Sequence, residues 1–303
     1  MGASEALILA FMVCSDPGDE ILIFDPTYAN YIGFSAISGV RLVPLPCSLD
    51  QKFALPSKDE ITRFISPYTR AILLCNPNNP TGSVCSEEEL KLLISVCREH
   101  NLYLIADETY REFVYDSQKP RCIFELSGED PRVIIVDSLS KRFSLCGIRV
   151  GGLFTWNDAL MQSAFHIAQA RQAAPTIEQI AAAHMLRVVS PSYLAGAIKE
   201  YQHRRDVAVK ALNNIKGVTT HTPAGGFYLV AKIPVDNAES FATFMLKEFS
   251  DSGSTTFVAP ANGFYMHADG GKDMIRIAFV LEVKEMEIAI NILGKGIEAY
   301  NVR

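Results

Sequence analysis

The sequence predicts an α/β protein: a large domain on a mainly parallel sheet covered by helices, then a smaller C-terminal α+β domain. Three observations carry that expectation. Residues 20–24, 70–75, 102–107 and 132–137 are short apolar runs that continue rather than alternate, as in strands covered on both faces. Helical stretches separate these runs, and such alternation implies parallel pairing through right-handed crossovers. The length, 303 residues, suits one large domain plus a smaller one, divided here as 1–192 and 193–303.

In chain order, residues 4–14 read as an almost wholly apolar helix, the kind buried on every side. Asp16-Pro17-Gly18-Asp19 is a turn before the 20–24 strand. A helix at 28–38, a strand at 40–45 and a helix at 57–65 follow. The 70–75 strand ends at Asn76-Pro77-Asn78-Asn79-Pro80-Thr81-Gly82, which can be neither helix nor ladder. Residues 86–100 form an amphipathic helix opened by the capping box of Ser86 and Glu89. After the strands at 102–107 and 132–137 come helices at 158–170, 176–189 and 193–215, the last leading into the second unit. That unit holds a strand at 226–230, a helix at 238–249, strands at 255–259 and 274–280, and a terminal helix at 283–300.

Composition narrows the function classes. With 49% hydrophobic and 20% charged residues the chain is an ordinary globule, and its net charge of -6 argues against nucleic acid as the main partner. No apolar run is long enough to span a bilayer, so no membrane partner is expected. Residues 6–14 are apolar like a signal core but lack a basic leader, which leaves the cytoplasm as the expected location. Seven cysteines without a C-x-x-C pair read as free thiols in a reducing compartment, and no metal site is expected. No G-x-G-x-x-G follows a strand and no Walker-type Gly-Lys-Ser/Thr occurs, which sets nucleotide binding aside.

In an open α/β sheet, ligands bind beyond the carboxyl ends of the strands, and the unusual polar residues fall there. Tyr28, Asn79, Asp107 with Tyr110, and Ser138, Ser140 and Lys141 each follow a different predicted strand. Taken singly each has a plain reading. The Asn-Pro run is a rigid turn, Asp107 a helix cap, Lys141 a solvated charge, Arg149 a surface ion pair, Gly2-Ala3-Ser4 a helix start and Arg276 a surface strand residue.

Taken in order, Asn76-Pro-x-Asn-Pro-Thr-Gly82, Asp107-Glu-x-Tyr110, Ser138-x-Ser140-Lys141 and Arg149 eight residues on resemble the class I/II aminotransferases of fold type I. The segment 138–151, Ser-Leu-Ser-Lys-Arg-Phe-Ser-Leu-Cys-Gly-Ile-Arg-Val-Gly, is most similar to the aspartate aminotransferase branch. The resemblance implies pyridoxal 5'-phosphate as cofactor, held by Lys141 as a Schiff base, with the freed amine then moving the substrate proton. It implies that Asp107 keeps the cofactor ring nitrogen protonated, that Tyr110 and Asn79 bond the ring's phenolic oxygen, and that Tyr28 stacks on the ring face. Gly2, Ala3 and Ser4 at a helix N-terminus, with Ser138, Ser140 and Arg149, would hold the phosphate. Arg276, with Asn79, would take the substrate α-carboxylate.

The reaction so implied is amino transfer from an amino acid, aspartate on resemblance alone, to a 2-oxo acid such as 2-oxoglutarate, in a homodimer. Aromatic or histidinol-phosphate aminotransferases and β-elimination lyases on the same scaffold stay open. So does a truncated paralogue that binds the cofactor without turnover. Family members carry a further stretch before the helix that opens at Gly2, which supplies part of the small domain, a lid and a phosphate-contacting tyrosine for the neighbouring subunit.

Overall fold

The computed structural model describes all 303 residues. Its larger sheet comprises β1 (Glu20–Asp25), β2 (Arg41–Pro46), β3 (Thr69–Cys75), β4 (Tyr103–Asp107), β5 (Val133–Ser138) and β6 (Gly151–Thr155) in the order β2-β1-β3-β4-β5-β6. The first five run parallel, while β6 pairs antiparallel with β5, Ser138 facing Gly151. Sequence reading missed β6 because its run, Gly-Gly-Leu-Phe-Thr, is short and half-exposed. The connection from β5 holds only the single helical turn Leu139–Arg142 and returns the chain antiparallel at the sheet edge.

Helices α1 (Gly2–Cys14), α2 (Asn30–Ser38), α3 (Lys58–Arg63), α4 (Glu87–Glu99), α5 (Phe124–Ser127), α6 (Leu139–Arg142), α7 (Asp158–Ala168) and α8 (Thr176–Val188) surround this sheet. Alternate strand residues serve its two faces. Ile21, Ile23, Leu73, Ile105 and Ile134 pack with Leu7, Ala10 and Phe11 of α1. Leu22, Phe24, Ile72, Leu104 and Ile135 pack with Leu90, Leu93 and Ile94 of α4. Burying each such side chain stabilises the fold by about 1.5–3 kcal/mol. The capping box at Ser86 and Glu89 forms as expected, each side chain bonding the other's backbone amide. The expectation for α1 needs correction. Its buried stripe runs Ala6, Leu7, Ala10, Phe11, Cys14, while Met12 on the opposite side is 42% exposed.

α9 (Pro191–Asn213) leads into a second sheet, ordered β7-β8-β10-β9 and antiparallel throughout, of β7 (Thr219–Thr220), β8 (Tyr228–Lys232), β9 (Ala259–Pro260) and β10 (Met274–Ala278). α10 (Ala238–Lys247) and α11 (Val283–Asn301) complete a separate apolar core containing Phe241, Met245, Ile275, Phe279 and Leu293. The expected strand at 255–259 shrinks to β9. Thr255 and Thr256 instead turn their hydroxyls to the carbonyls of Met245 and Ala289, and Phe257 stands 75% exposed. β8 starts two residues later than expected because Gly225 bridges to Val114 and Gly226 bends the chain. Gly226 has a φ of +66°, and a Cβ on Gly225 would sit 2.6 Å from the Phe113 carbonyl.

A loop after β2 meets the loop after β7 at buried His221, whose ring stands edge-on to Phe53 at 5.2 Å. Neither ring nitrogen finds a hydrogen-bond partner, and burial pushes its pKa down from 6.5 to about 4. An unfolded His221 therefore takes up a proton near pH 6.5 that the folded one refuses. Its contribution to stability is complete above pH 6.5 and falls away towards pH 4, by about 3 kcal/mol. Urea unfolding across that range should show a midpoint that drops on acidification in the native chain and drops less in His221→Phe. Parallel slopes in the two proteins would assign the loss to other groups.

Candidate active site

The carboxyl ends of β1, β3, β4 and β5 open into a cavity of about 350 Å³, closed on the far side by the second sheet. Asp107 is the last residue of β4, and Tyr110 lies in the turn after it. Ser138 ends β5, and Ser140 and Lys141 lie in the single-turn α6. Tyr28 and Asn79 come from the loops after β1 and β3, Ala3 and Ser4 from the first turn of α1, and Arg276 from β10. Eleven of the twelve residues singled out from the sequence line this one cavity. The twelfth, Gly2, lies just outside, in an adjoining pocket beneath the Arg149 guanidinium, with a φ of +68°.

Ala3 and Ser4 of α1 line the cavity together with the serines of β5 and α6. Ser138 Oγ donates to Ser140 Oγ at 2.9 Å, and the Ser140 amide donates to Ser138 Oγ at 3.1 Å. The start of β6 presses on α1 so closely that a Cβ at Gly151 would lie 2.7 Å from the Ala3 nitrogen, so only glycine permits the approach. Lys141 Nζ lies 5.7 Å from the centre of the Tyr110 ring. Tyr110 donates to the Tyr228 hydroxyl at 3.4 Å. Arg276 is held between Tyr228 and Phe264, 4.4 and 4.5 Å from their ring centres, and donates to Asn79 Oδ1 at 3.3 Å.

Charge in the cavity is unbalanced. Lys141, Arg149 and Arg276 line it against one carboxylate, Asp107, a formal excess of two positive charges in a chain of net charge -6. None of the three cations has a carboxylate partner; Arg149 gives its protons to the carbonyls of Cys146 and Met1. Burial depresses Arg276 below the usual arginine range and raises the Tyr110 phenol well above its usual value. Burial raises Asp107 as well, opposed by the bonds it accepts from Thr109 and Tyr31. Such a site suits a small molecule carrying two or more negative charges.

The profile of the family described as Aminotransferase class I and II matches residues 1–293. The chain belongs to that family. An aspartate aminotransferase of Musicola paradisiaca is 30% identical over 99% of this chain and 73% of its own length. An aromatic-amino-acid aminotransferase of Thermococcus litoralis is 29% identical over 97% of the chain and 74% of its own length. Among solved structures, the aromatic aminotransferase of Pyrococcus horikoshii superposes with a TM-score of 0.88 at 28% identity, over all of this chain and 79% of that one. The aspartate aminotransferase of Thermotoga maritima gives 0.87 at 26%, over 98% and 74%. Fold type I, expected from the motifs, is thereby shown.

The cavity and its surround also contain residues that the sequence did not bring forward. Tyr31, 1% exposed, donates to Asp107 Oδ2 at 2.8 Å, and the Thr109 hydroxyl donates to Oδ1 at 2.6 Å. Thr109 was visible in principle, two residues beyond Asp107. Tyr31 was not: it lies three residues past Tyr28, on the first turn of α2, and only the pairing of β1, β3 and β4 carries it to Asp107. Tyr228, two residues past the glycine pair, joins Tyr110 to Arg276.

Proposed function

We propose that the chain is a pyridoxal 5'-phosphate-dependent transaminase that moves the amino group of aspartate to 2-oxoglutarate, with Lys141 as the cofactor-holding amine. The observation that carries this reading is the set of three cations without acidic partners around one buried carboxylate. The residues fit the cofactor. Ala3, Ser4, Ser138, Ser140 and Arg149 would hold its phosphate, helix-start amides and a planar guanidinium being suited to that anion. Asp107 would hold its ring nitrogen, Tyr110 and Asn79 its ring oxygen, and Tyr28 would cover a ring face. Bound there, pyridoxal phosphate supplies an aldehyde for amines and a protonated ring that draws electrons from the substrate's α-carbon.

The chain's own groups do the rest. Arg276, rigidly sandwiched and partly desolvated, binds the substrate α-carboxylate and orients the Cα–H bond. Lys141 Nζ then moves the proton at that carbon as general base and acid. Asp107, fixed by Tyr31 and Thr109, would hold a proton on the cofactor's ring nitrogen. We divide the chain at residue 192, so that the site lies between units 1–192 and 193–303. We further infer a homodimer. Helix α8 has one buried residue, Ala182, and exposes Ile177 (80%) and Ile180 (68%), an apolar helix face that a second copy would cover. The seven free thiols fit the cytoplasm.

The test is oxaloacetate formation by the pyridoxal phosphate-loaded chain from aspartate and 2-oxoglutarate, with tyrosine and phenylalanine as competing donors, relatives of both kinds being similar. Absence of keto-acid product from every donor would overturn the reading, and preference for an aromatic donor would replace aspartate. Arg276→Ala should cut kcat/KM by about 100-fold, near 3 kcal/mol, mostly through KM, as expected for a lost charged contact. Kinetics equal to the native enzyme's would remove Arg276 from the site.

A further inference from the structure

The turns after β4 and β5 carry Tyr110 and Lys141, and behind the cavity five ionised side chains tie them together. Arg142, the residue after Lys141, gives Nη2 to Glu112 Oε1 at 2.6 Å and to Asp137 Oδ2 at 2.8 Å. Arg111, the residue after Tyr110, reaches Glu108 at 2.7 Å, Glu112 at 3.2 Å and Asp137 at 3.5 Å. Each arginine thus contacts a carboxylate from the turn after β4 and Asp137 near the end of β5. Asp137 in addition accepts from the Ser138 amide at 2.7 Å, and Glu108 from the Ile123 amide at 2.7 Å.

The cluster is poorly suited to stability alone. Arg142 and Glu112 are only 14% and 15% exposed, and Arg142 Nε and Glu112 Oε2 have no partner at all. Desolvating such ions costs more than their attraction returns unless every donor and acceptor is satisfied. What the cluster does supply is geometry and charge. It leaves few ways for one turn to slide against the other, and three carboxylates against two guanidiniums put a net negative charge behind Lys141.

We propose that Arg142, Glu112, Asp137 and Arg111 form a charged bracket that positions Lys141 against Tyr110 and biases the charge on the Lys141 nitrogen. The bracket rests on the reading of Lys141 as the cofactor-holding amine. Its members are positioning residues, since none lines the cavity. The titratable and charged groups that do line it, Asp107, Tyr110, Arg149, Arg276, Tyr28 and Tyr228 with Cys75 and Cys146, are unchanged in the variants below.

Electrostatics gives the two halves opposite signs. Arg142→Gln removes a positive charge and favours a protonated Lys141 nitrogen; Glu112→Gln removes a negative one and disfavours it. In the pyridoxal phosphate-loaded protein, the pH midpoint of the cofactor's absorbance change should rise in Arg142→Gln and fall in Glu112→Gln, each by about half a unit to one unit. Arg142→Lys should return it towards the native value. In the cofactor-free protein, the pH profile of Lys141 acetylation, read by peptide mass, should move the same way. Shifts of one sign in both variants, or none, in proteins with native circular dichroism would overturn the bracket. Should Arg142→Gln not fold, Glu112→Gln decides alone, a downward shift supporting the bracket and any other result ending it. A native chain that takes up no pyridoxal phosphate would refute the proposed function, while the acetylation profiles would still judge the bracket.

Discussion

Replacing Lys141 by alanine should abolish the cofactor adduct that borohydride traps on the chain and lower transamination by about 10⁴-fold or more. Both effects follow from one atom. Nζ is the only amine among the cavity-lining side chains, and it lies beside the Tyr110 ring without a carboxylate to neutralise it. Substrate amine can replace it as the cofactor's partner, but the cavity wall holds no second amine to carry a proton to and from the α-carbon. Noncovalent cofactor uptake should survive, because Arg149, the serine hydroxyls and the α1 amides are untouched. The reading is checked by digesting the reduced protein and weighing its peptides. A cofactor mass on a lysine other than Lys141, or an adduct that persists in the variant, would move the assignment elsewhere.

How much of this site the sequence disclosed depended on how local each signal was. The strand at Tyr103–Asp107 and the helix at Glu87–Glu99 were legible because apolar runs and a capping box depend on neighbours a few residues apart. The cavity residues were legible because parallel strands deliver their ends to one rim, so a polar residue just after each apolar run is already placed. The contacts that tune those residues were not. Tyr31 and Asp107 are 76 positions apart, Tyr110 and Tyr228 are 118, and Arg276 and Asn79 are 197. No periodicity links such pairs; only the strand order brings them together. The same holds for Thr255 and Thr256, whose β-prone character yields to carbonyls offered by α10 and α11. The first helix begins at Gly2, two residues before the start at residue 4 read from its apolar run; Ala3 and Ser4 line the cavity, and Gly2 lies in the adjoining pocket with Arg149.

Asp107→Asn separates catalysis from stability in a way that a purely structural carboxylate would not. Buried at 5% exposure, Asp107 has its pKa raised by desolvation, so the folded chain holds a proton there more readily than the unfolded one. By linkage, that group favours folding at low pH and costs stability as pH rises through its folded pKa. The cofactor-free Asp107→Asn variant should therefore unfold no earlier than the native chain at neutral pH, since amide oxygen and nitrogen still meet the Tyr31 and Thr109 hydroxyls. Loaded with pyridoxal phosphate it should be nearly inert, because an amide offers no charge to keep a proton on the ring nitrogen. A loss on the order of 10³-fold, about 4 kcal/mol, is expected in the exchange of the aspartate α-hydrogen for deuterium, followed by proton NMR. Asp107→Glu should recover part of it, the carboxylate being restored in a displaced position. Exchange at the native rate in Asp107→Asn would show that the buried carboxylate serves the fold and not the ring.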